Sequence, residues 1–239
     1  MTDHPAISIV IPVHNEAGFI EAALPRLIGT LHDLPATYEV IVAENGSSDR
    51  TADLAAEFAL TEPRVRVLRL PVADYGAAMR AGFHEARGDW AVNFDIDYFS
   101  ADFLRAGLEL ADEADLVLAS KRAEGADDRR SAFRRMATWG FNVVLRLLLG
   151  SGVTDTHGMK MVRRSVIDQV VPQVRSTKDL FDTELVIRAE KAGFRIAEVP
   201  AVVEELREAR SSFVSRIPRT LRGLWRIRRQ LSREGRAKS

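Results

Sequence analysis

Apolar and polar positions succeed one another in short blocks along the first half of the chain. Ile7 to Val13 is a nearly continuous apolar run containing Pro12, and it is followed by His14, Asn15 and Glu16, which predicts a buried strand running into a polar loop. Helical spacing follows over Ala17 to Leu31. Tyr38 to Ala43 reads as a second strand, Glu44 to Asp49 as a polar turn, and Arg50 to Phe58 as a helix for which Asp49 can act as N-cap. Strands are predicted again at Val65 to Leu70, Asp89 to Phe94 and Asp115 to Ser120, with helices at Gly76 to Ala86 and Phe103 to Ala111 between them. Strands alternating with helices at this pitch predict a doubly wound, mostly parallel α/β sheet of Rossmann-like type, flanked by helices. In such sheets ligands bind at the carboxyl ends of the strands. The polar clusters fall at those ends.

Beyond Ser120 the rhythm changes. Lys121 to Arg130 is polar and rich in arginine, Ser131 to Leu149 is a long helix, Phe181 to Ala192 a second one, and Arg195 to Val199 a short strand. No internal repeat, low-complexity stretch or long linker marks a second large domain. The expected organisation is one domain over residues 1–206 and a basic C-terminal helix or tail over 207–239.

Composition narrows the classes. With 239 residues, 46% apolar and 28% charged, the chain is an ordinary globular protein, and without cysteine it has neither disulfides nor thiolate nucleophiles nor thiolate metal sites. A bound metal must therefore be held by oxygen or imidazole ligands. The apolar stretch around Val143 to Leu149 is broken by Arg146 and Gly150, so no segment is expected to span a bilayer, and Met1 to Pro5 does not resemble a signal peptide. The formal charge is zero, yet residues 207–239 carry eleven basic and two acidic side chains, leaving +9 there and −9 elsewhere. An asymmetry of this size points to an anionic surface, membrane or nucleic acid. Ile217, Leu221, Leu224, Trp225 and Leu231 recur near helical spacing among arginines, with Pro218 suited to a first helical turn. This is the form of an interfacial amphipathic helix, although packing on its own domain or on a partner is the simpler use of such a face.

Two constellations suggest chemistry. Asp95 and Asp97 flank one residue at a predicted strand end, an arrangement suited to Mg²⁺ or Mn²⁺ shared with substrate phosphates, although turns supply the same pattern. Glu44-Asn45-Gly46-Ser47-Ser48-Asp49 is a turn with a capping residue, and its Glu44 is placed to accept from a base or ribose. Neither a Walker nor a dinucleotide fingerprint occurs at these loops.

Ser8-Ile9-Val10-Ile11-Pro12-Val13-His14-Asn15-Glu16, the Glu44 to Asp49 turn, Tyr75-Gly76-Ala77-Ala78 through Gly82, Gly88-Asp89 and Asp95-Ile96-Asp97 come in an order that resembles family 2 glycosyltransferases. Ser120-Lys121-Arg122, Arg134-Arg135, Asn142, Asp155 to Lys160, Glu198-Val199-Pro200 and Arg207 with Ser212 resemble its polyprenyl-phosphate branch, typified by dolichol-phosphate mannose synthase. The resemblance covers about residues 6 to 212. It implies a GT-A fold and a metal-dependent, inverting transfer of a hexose, mannose or glucose, from a nucleotide sugar such as GDP-mannose or UDP-glucose to a polyprenyl phosphate. It further implies donor contacts from Pro12, Asn15, Glu16, Glu44 and Asp95, and Mg²⁺ or Mn²⁺ at Asp95 and Asp97. Arg80 falls near the donor by the same resemblance, or on an exposed helix face by periodicity. His14 and His157 receive no catalytic role.

The chain departs from the family pattern where Glu44-Asn45 replaces Asp-Asp, Gly158-Met159-Lys160 replaces Gly-Phe-Arg, and Phe99 stands where a Gln ligand is common. Acceptor chemistry divides the remaining candidates. A phosphate is already an anion and needs cations, which Arg122, Arg135 and Lys160 offer, with Arg129, Arg130 and Arg134 nearby. An alcohol needs a base, and Asp182 or Glu184 is the candidate. Three readings follow. The first is a polyprenyl-phosphate hexosyltransferase, cytoplasmic and peripheral on the inner membrane face, meeting an anionic membrane rather than nucleic acid and leaving room for a membrane-protein tether. The second is a family 2 enzyme with a saccharide or soluble alcohol acceptor and Asp182 as base. The third is a non-catalytic nucleotide- or membrane-binding module.

Overall fold

The computed structural model describes residues 4–120, 127–128, 132–177, 180–203 and 213–238. The first half follows the sequence pattern closely: β1 (Ile7–Val13), α1 (Ala17–Thr30), β2 (Tyr38–Asn45), α2 (Thr51–Thr61), β3 (Val65–Leu70), α3 (Tyr75–Glu85), β4 (Trp90–Asn93), α4 (Ala101–Glu109) and β5 (Leu116–Ser120). The second half contains β6 (Asp127–Asp128), α5 (Ala132–Leu149), β7 (Lys160–Arg163), α6 (Arg164–Val170), a 3₁₀ turn at Val171–Gln173, α7 (Phe181–Lys191), β8 (Ile196–Pro200), β9 (Val202–Val203) and α8 (Phe213–Lys238).

Seven strands form one sheet in the order β3-β2-β1-β4-β7-β5-β8, and β6 pairs with β9 separately. All neighbours in the large sheet run parallel except β7, which lies antiparallel between β4 and β5. That inversion matters for the site. It sets Lys160, the first residue of β7, opposite Asn93, the last residue of β4, so the chain entering β7 arrives at the sheet edge where β1, β2 and β4 end.

Both faces of the sheet are covered, which is why β1 reads as an apolar run rather than an alternation. Ile7, Ile9, Ile11 and Val13 pack with Ile20, Leu24 and Leu27 of α1 and Phe103 and Leu104 of α4. Val10 and Ile41 point the other way, into Ala78, Met79 and Phe83 of α3 and Phe181 and Leu185 of α7. Close approach of α3 requires Gly82, because a Cβ there would stand 2.3 Å from Val10 Cγ1. Asp115, at the start of β5, accepts from the Arg195 backbone N–H at 3.0 Å and from Arg195 Nη2 at 2.8 Å, a clamp that holds its carboxyl down at about 2.

A third apolar cluster joins α5, α7 and α8 through Leu145, Leu149, Ile187, Leu224 and Ile227, with Leu231 partly buried against it. Two details of α8 thereby differ from the sequence reading. Leu224 and Leu231 face the protein rather than sharing an open face with Leu221 and Trp225, which stay exposed. The helix also begins five residues before Pro218, so that proline lies inside it and not in its first turn. The seam is closed by charge as well: Arg188, 4% exposed, bridges Glu184 at 2.7 Å and Glu234 of α8 at 2.7 Å.

Candidate functional site

The ends of β1 and β2 are stitched together by their own loops. The His14 ring Nδ1 lies 2.8 Å from the Asn45 carbonyl, and the Asn15 N–H donates to Ser47 Oγ at 3.0 Å while Asn15 Oδ1 accepts from the Ser48 N–H at 2.9 Å. Asn15 adopts a left-handed backbone, φ +54°, a conformation asparagine tolerates better than most residues. The Glu16 N–H donates to Thr51 Oγ1 at 2.7 Å and the Ala17 N–H to Asp49 Oδ2 at 3.2 Å. Asp49 also accepts from the Thr51 N–H at 2.9 Å, but the cap residue is Arg50, one position later than the sequence led us to expect, and its side chain makes no capping bond. Glu44 is buried and its Oε1 accepts from the Ser47 N–H at 2.6 Å. Gly46 has φ +62°, and a Cβ there would meet the Val72 and Ala73 backbone at 2.9 Å. Pro12, Asn15, Glu16 and Glu44 thus lie together at adjoining strand ends and the loops that follow them.

The next strand end carries the paired carboxylates. Phe94, 1% exposed, packs on Phe99 and Phe103 with ring centroids 6.5 and 6.4 Å away. Reciprocal backbone bonds between Asp95 and Tyr98, 3.2 and 3.1 Å, close a tight turn. Ile96 is buried in that turn, Asp95 is exposed and Asp97 half-buried, so the alternation turns both carboxylates away from the core. Phe99, at the position where the family often has glutamine, is a packing residue: besides Phe94 it meets the Arg26 guanidinium, 4.8 Å from its ring centroid.

Below the turn lies a buried polar group that joins three elements. Lys160, 1% exposed, places Nζ 3.2 Å from Asp182 Oδ1 and donates to the Gly158 carbonyl at 2.6 Å and to Asn93 Oδ1 at 3.4 Å. Tyr75 donates to Asp182 Oδ2 at 2.7 Å. Burial pushes the Tyr75 hydroxyl well above its usual range, and the carboxylates of Asp182 and Asp95 push it further. Burial likewise raises Tyr98 to about 12, with Asp155 and Asp95 adding to the effect. A proton on either phenol is therefore held throughout the neutral range.

A third segment approaches from the α5 side. Asn142 donates to the Thr154 carbonyl, Ser120 Oγ lies 2.7 Å from Thr154 Oγ1, and Glu198 Oε1 accepts from the Thr154 N–H at 2.6 Å. Asp155, buried, accepts from the His157 N–H at 2.9 Å, and Thr156 meets Thr183 of α7 at 3.1 Å. Residues far apart in sequence, Ser120, Asn142, Asp155 and Glu198, are thus gathered around one loop.

The structure brings together Pro12, Asn15, Glu16, Glu44, Asp95 and Asp97 along adjoining strand ends, with Lys160 and Asp182 behind them. Lys160 and Asp182 face each other, so each occupies the other's charge. Arg135 lies on α5, about 10 Å along the axis from Asn142 at 1.5 Å per residue. Arg122, Arg129, Arg130, Arg207 and Ser212 lie outside the described residues. Arg80 is tied to the loop before α7, donating to the Val174 carbonyl at 2.7 Å with its guanidinium 5.6 Å from the Phe181 ring centroid. His157 packs edge-on against Phe141. The sequence reading did not select Tyr75, Asn93, Tyr98 or Asp155. Tyr75 and Asp155 lie in segments that carry the family resemblance but had no role assigned, and Asn93 carried a signal as a polar residue closing an apolar strand two positions before Asp95.

The model of the family described as Glycosyl transferase family 2 matches residues 8–171, and the chain belongs to that family. Over 203 residues it is 34% identical to "Glycosyltransferase AglD" of Haloferax volcanii, covering 81% of this chain and 32% of that protein. The chain therefore spans about a third of that relative's length. Over 212 residues it is 34% identical to the polyprenol monophosphomannose synthase of Mycolicibacterium smegmatis, covering 82% of this chain and 77% of the relative. Among solved structures it is similar to glucosyl-3-phosphoglycerate synthase from Mycobacterium tuberculosis in complex with Mn²⁺, UDP-glucose and phosphoglyceric acid. That likeness has a TM-score of 0.66 at 22% identity and covers 94% of this chain and 79% of the other. It establishes the fold, GT-A, as the sequence led us to expect.

Proposed function

We propose that this chain transfers a hexose, mannose or glucose, from a nucleotide sugar to a polyprenyl phosphate with inversion at the anomeric carbon. The observation that carries the reading is the engagement of Asp182. The side chain best placed by sequence to act as a base is 6% exposed, faces the Lys160 ammonium and accepts from Tyr75. A carboxylate held in that way has little freedom to take a proton from an alcohol. A phosphate acceptor already offers an anionic oxygen and needs no base. The relative from Mycolicibacterium smegmatis is named for transfer to such an acceptor.

Pro12, Asn15, Glu16 and Glu44 would hold the nucleotide. Asp95 and Asp97 are hard oxygen donors turned out of the core, and among the described residues no cluster of three or more acidic or histidine side chains is arranged to hold a metal. That donor set fits a cation such as Mg²⁺ or Mn²⁺ that takes one or two carboxylates and completes its shell with diphosphate and water. Bound there, the ion would supply Lewis-acid stabilisation of the departing nucleoside diphosphate. Arg122 and Arg135 would position the acceptor phosphate. Lys160 would serve through Asp182 and Asn93 rather than by touching the phosphate. Among the described residues no helix is long and apolar enough to cross a membrane. The enzyme would meet its acceptor at the cytoplasmic membrane face as a peripheral protein, alone or on a membrane-protein tether.

A thermal-shift titration tests the donor half of this reading. GDP-mannose or UDP-glucose is expected to raise the melting temperature with Mn²⁺ present and much less without it, because a ligand that binds only the folded state stabilises it. No shift with either donor, metal present, would contradict the assignment.

A further inference from the structure

Helix α8 closes on the stretch of chain that leads into α7 and the site. A Cβ at Gly223 would stand 2.0 Å from Leu180 Cδ1, so α8 runs close against the residue that precedes α7. Leu180 packs on the cluster that Leu224 and Ile227 of α8 share with Ile187 of α7. The first turn of α7 then reaches the chain entering β7 at two points. Asp182 Oδ1 lies 3.2 Å from Lys160 Nζ, and Thr183 Oγ1 lies 3.1 Å from Thr156 Oγ1. This is the loop that Ser120, Asn142 and Glu198 also hold at Thr154.

A shared guanidinium ties α8 to the same turn from the other side. Arg188 donates Nε to Glu184 at 2.7 Å, and Nη1 and Nη2 to Glu234 of α8 at 2.7 and 3.2 Å. Arg188 and Glu184 are buried, whereas the Glu234 side chain is 38% exposed, so this chain of charges opens to solvent at its α8 end. The second oxygen of Glu184, Oε2, accepts from the Arg175 and Ser176 N–H groups at 3.2 and 2.7 Å. Arg80 of α3 donates to the Val174 carbonyl in the same segment at 2.7 Å. Helices α3 and α7 are therefore joined twice, through this segment and through the Tyr75–Asp182 bond at 2.7 Å. If α8 withdraws Glu234, two buried donors lose their acceptors, and buried donors are rarely left unpaired. They must turn to water or to Glu184 Oε2, the oxygen that holds the 174–176 segment. Either move loosens the junction of α3 with α7.

We propose that Arg188 and Glu184 are positioning residues that transmit the seating of α8 to the first turn of α7 and to the 154–160 loop, so that sugar transfer requires α8 to be docked. The C-terminal helix then works as a conformational control on the acceptor side of the site, and the strand ends that would hold the donor are outside its reach. This deepens the acceptor reading and rests on it for the reaction to be assayed.

Glu234→Arg, which sets two cations together at the seam, tests the proposal in the full chain. With Mn²⁺, GDP-mannose or UDP-glucose, and polyprenyl phosphate, kcat/KM for the lipid phosphate is expected to fall about tenfold or more. The donor KM and the donor-induced thermal shift should stay as in the wild type. Leu180→Cys/Gly223→Cys provides the rescue. A sulfur in place of Leu180 Cγ would stand 3.6 Å from a Cβ at position 223, and the chain has no other cysteine, so a disulfide there pins α8 to the start of α7. Added to Glu234→Arg, the closed disulfide should restore most of the lost transfer, and a reductant should remove it again. Wild-type transfer by Glu234→Arg, or a defect that the closed disulfide leaves in place, would overturn the proposal. Failure of the acceptor reading looks different, since the wild type itself would then leave polyprenyl phosphate unmodified. Amide exchange decides the proposal in that case: Glu234→Arg should speed exchange across residues 174–187 about tenfold and leave β1 and β2 unchanged. Unchanged exchange across 174–187 would overturn it.

Discussion

Asp97→Asn is expected to remove sugar transfer from a protein that melts as the wild type does. Asparagine has the size and shape of aspartate, and Asp97 is half-buried in a turn closed by the backbone of Asp95 and Tyr98, so the volume and shape of the turn are kept. The proposed metal position requires the charge. With Asp95 as its one carboxylate partner, the substitution halves the formal charge offered to a hard divalent ion. A metal acting as Lewis acid supplies several kcal/mol at the transition state, and each 1.36 kcal/mol is tenfold in rate, so a loss of about 10²–10³-fold or more is expected. The Mn²⁺-dependent part of the donor thermal shift should disappear with it. A wild-type turnover rate from folded Asp97→Asn would remove the metal from this turn.

The second large effect is one of stability. Lys160→Met leaves the Asp182 carboxylate buried with Tyr75 as its hydrogen-bond donor and no cation, and breaking a buried pair in this way costs about 3–5 kcal/mol. Asp182→Asn is the milder change, since the ammonium keeps the Gly158 carbonyl and Asn93. The double variant Lys160→Met/Asp182→Asn should recover most of the loss, because no buried charge is left uncompensated, and urea melts of the four proteins give the coupling directly. Melting of Lys160→Met at the wild-type midpoint would show that the pair is not what holds this junction. The folded double variant also reports on chemistry. A general base contributes about 10²–10⁴-fold, so transfer within about tenfold of wild type would mean that Asp182 does not act as one.

What the sequence could show differs between the two halves. β1 and β2 are legible because a strand covered on both faces has to be apolar at nearly every position. β7 is not legible: Lys-Met-Val-Arg is four residues long, begins and ends on a charge, and owes its place between β4 and β5 to tertiary pairing. The same distinction runs through the site. Asp95, Asp97 and Glu44 sit at the ends of strands that the pattern reveals, so they could be selected one by one. Tyr75 and Asp155 join them only because α3 and the chain entering β7 converge on the edge where β4 ends, a proximity that no local pattern encodes. Lys160 shows the limit most sharply. Its family position suggests a phosphate contact, whereas the inversion of β7 buries it against Asp182. In α8 the amphipathic repeat is plain, but which apolar residues face the protein is decided by the shape of α5 and α7.

The acceptor defines the proposed reaction, and one assay addresses it. Purified protein with Mn²⁺ and radiolabelled GDP-mannose or UDP-glucose is offered a polyprenyl phosphate, the matching polyprenol and a simple saccharide in parallel. The proposed reaction puts label in a lipid-phosphate sugar and none in the other two. Label transferred to the polyprenol or the saccharide, with the polyprenyl phosphate left unmodified, would contradict it.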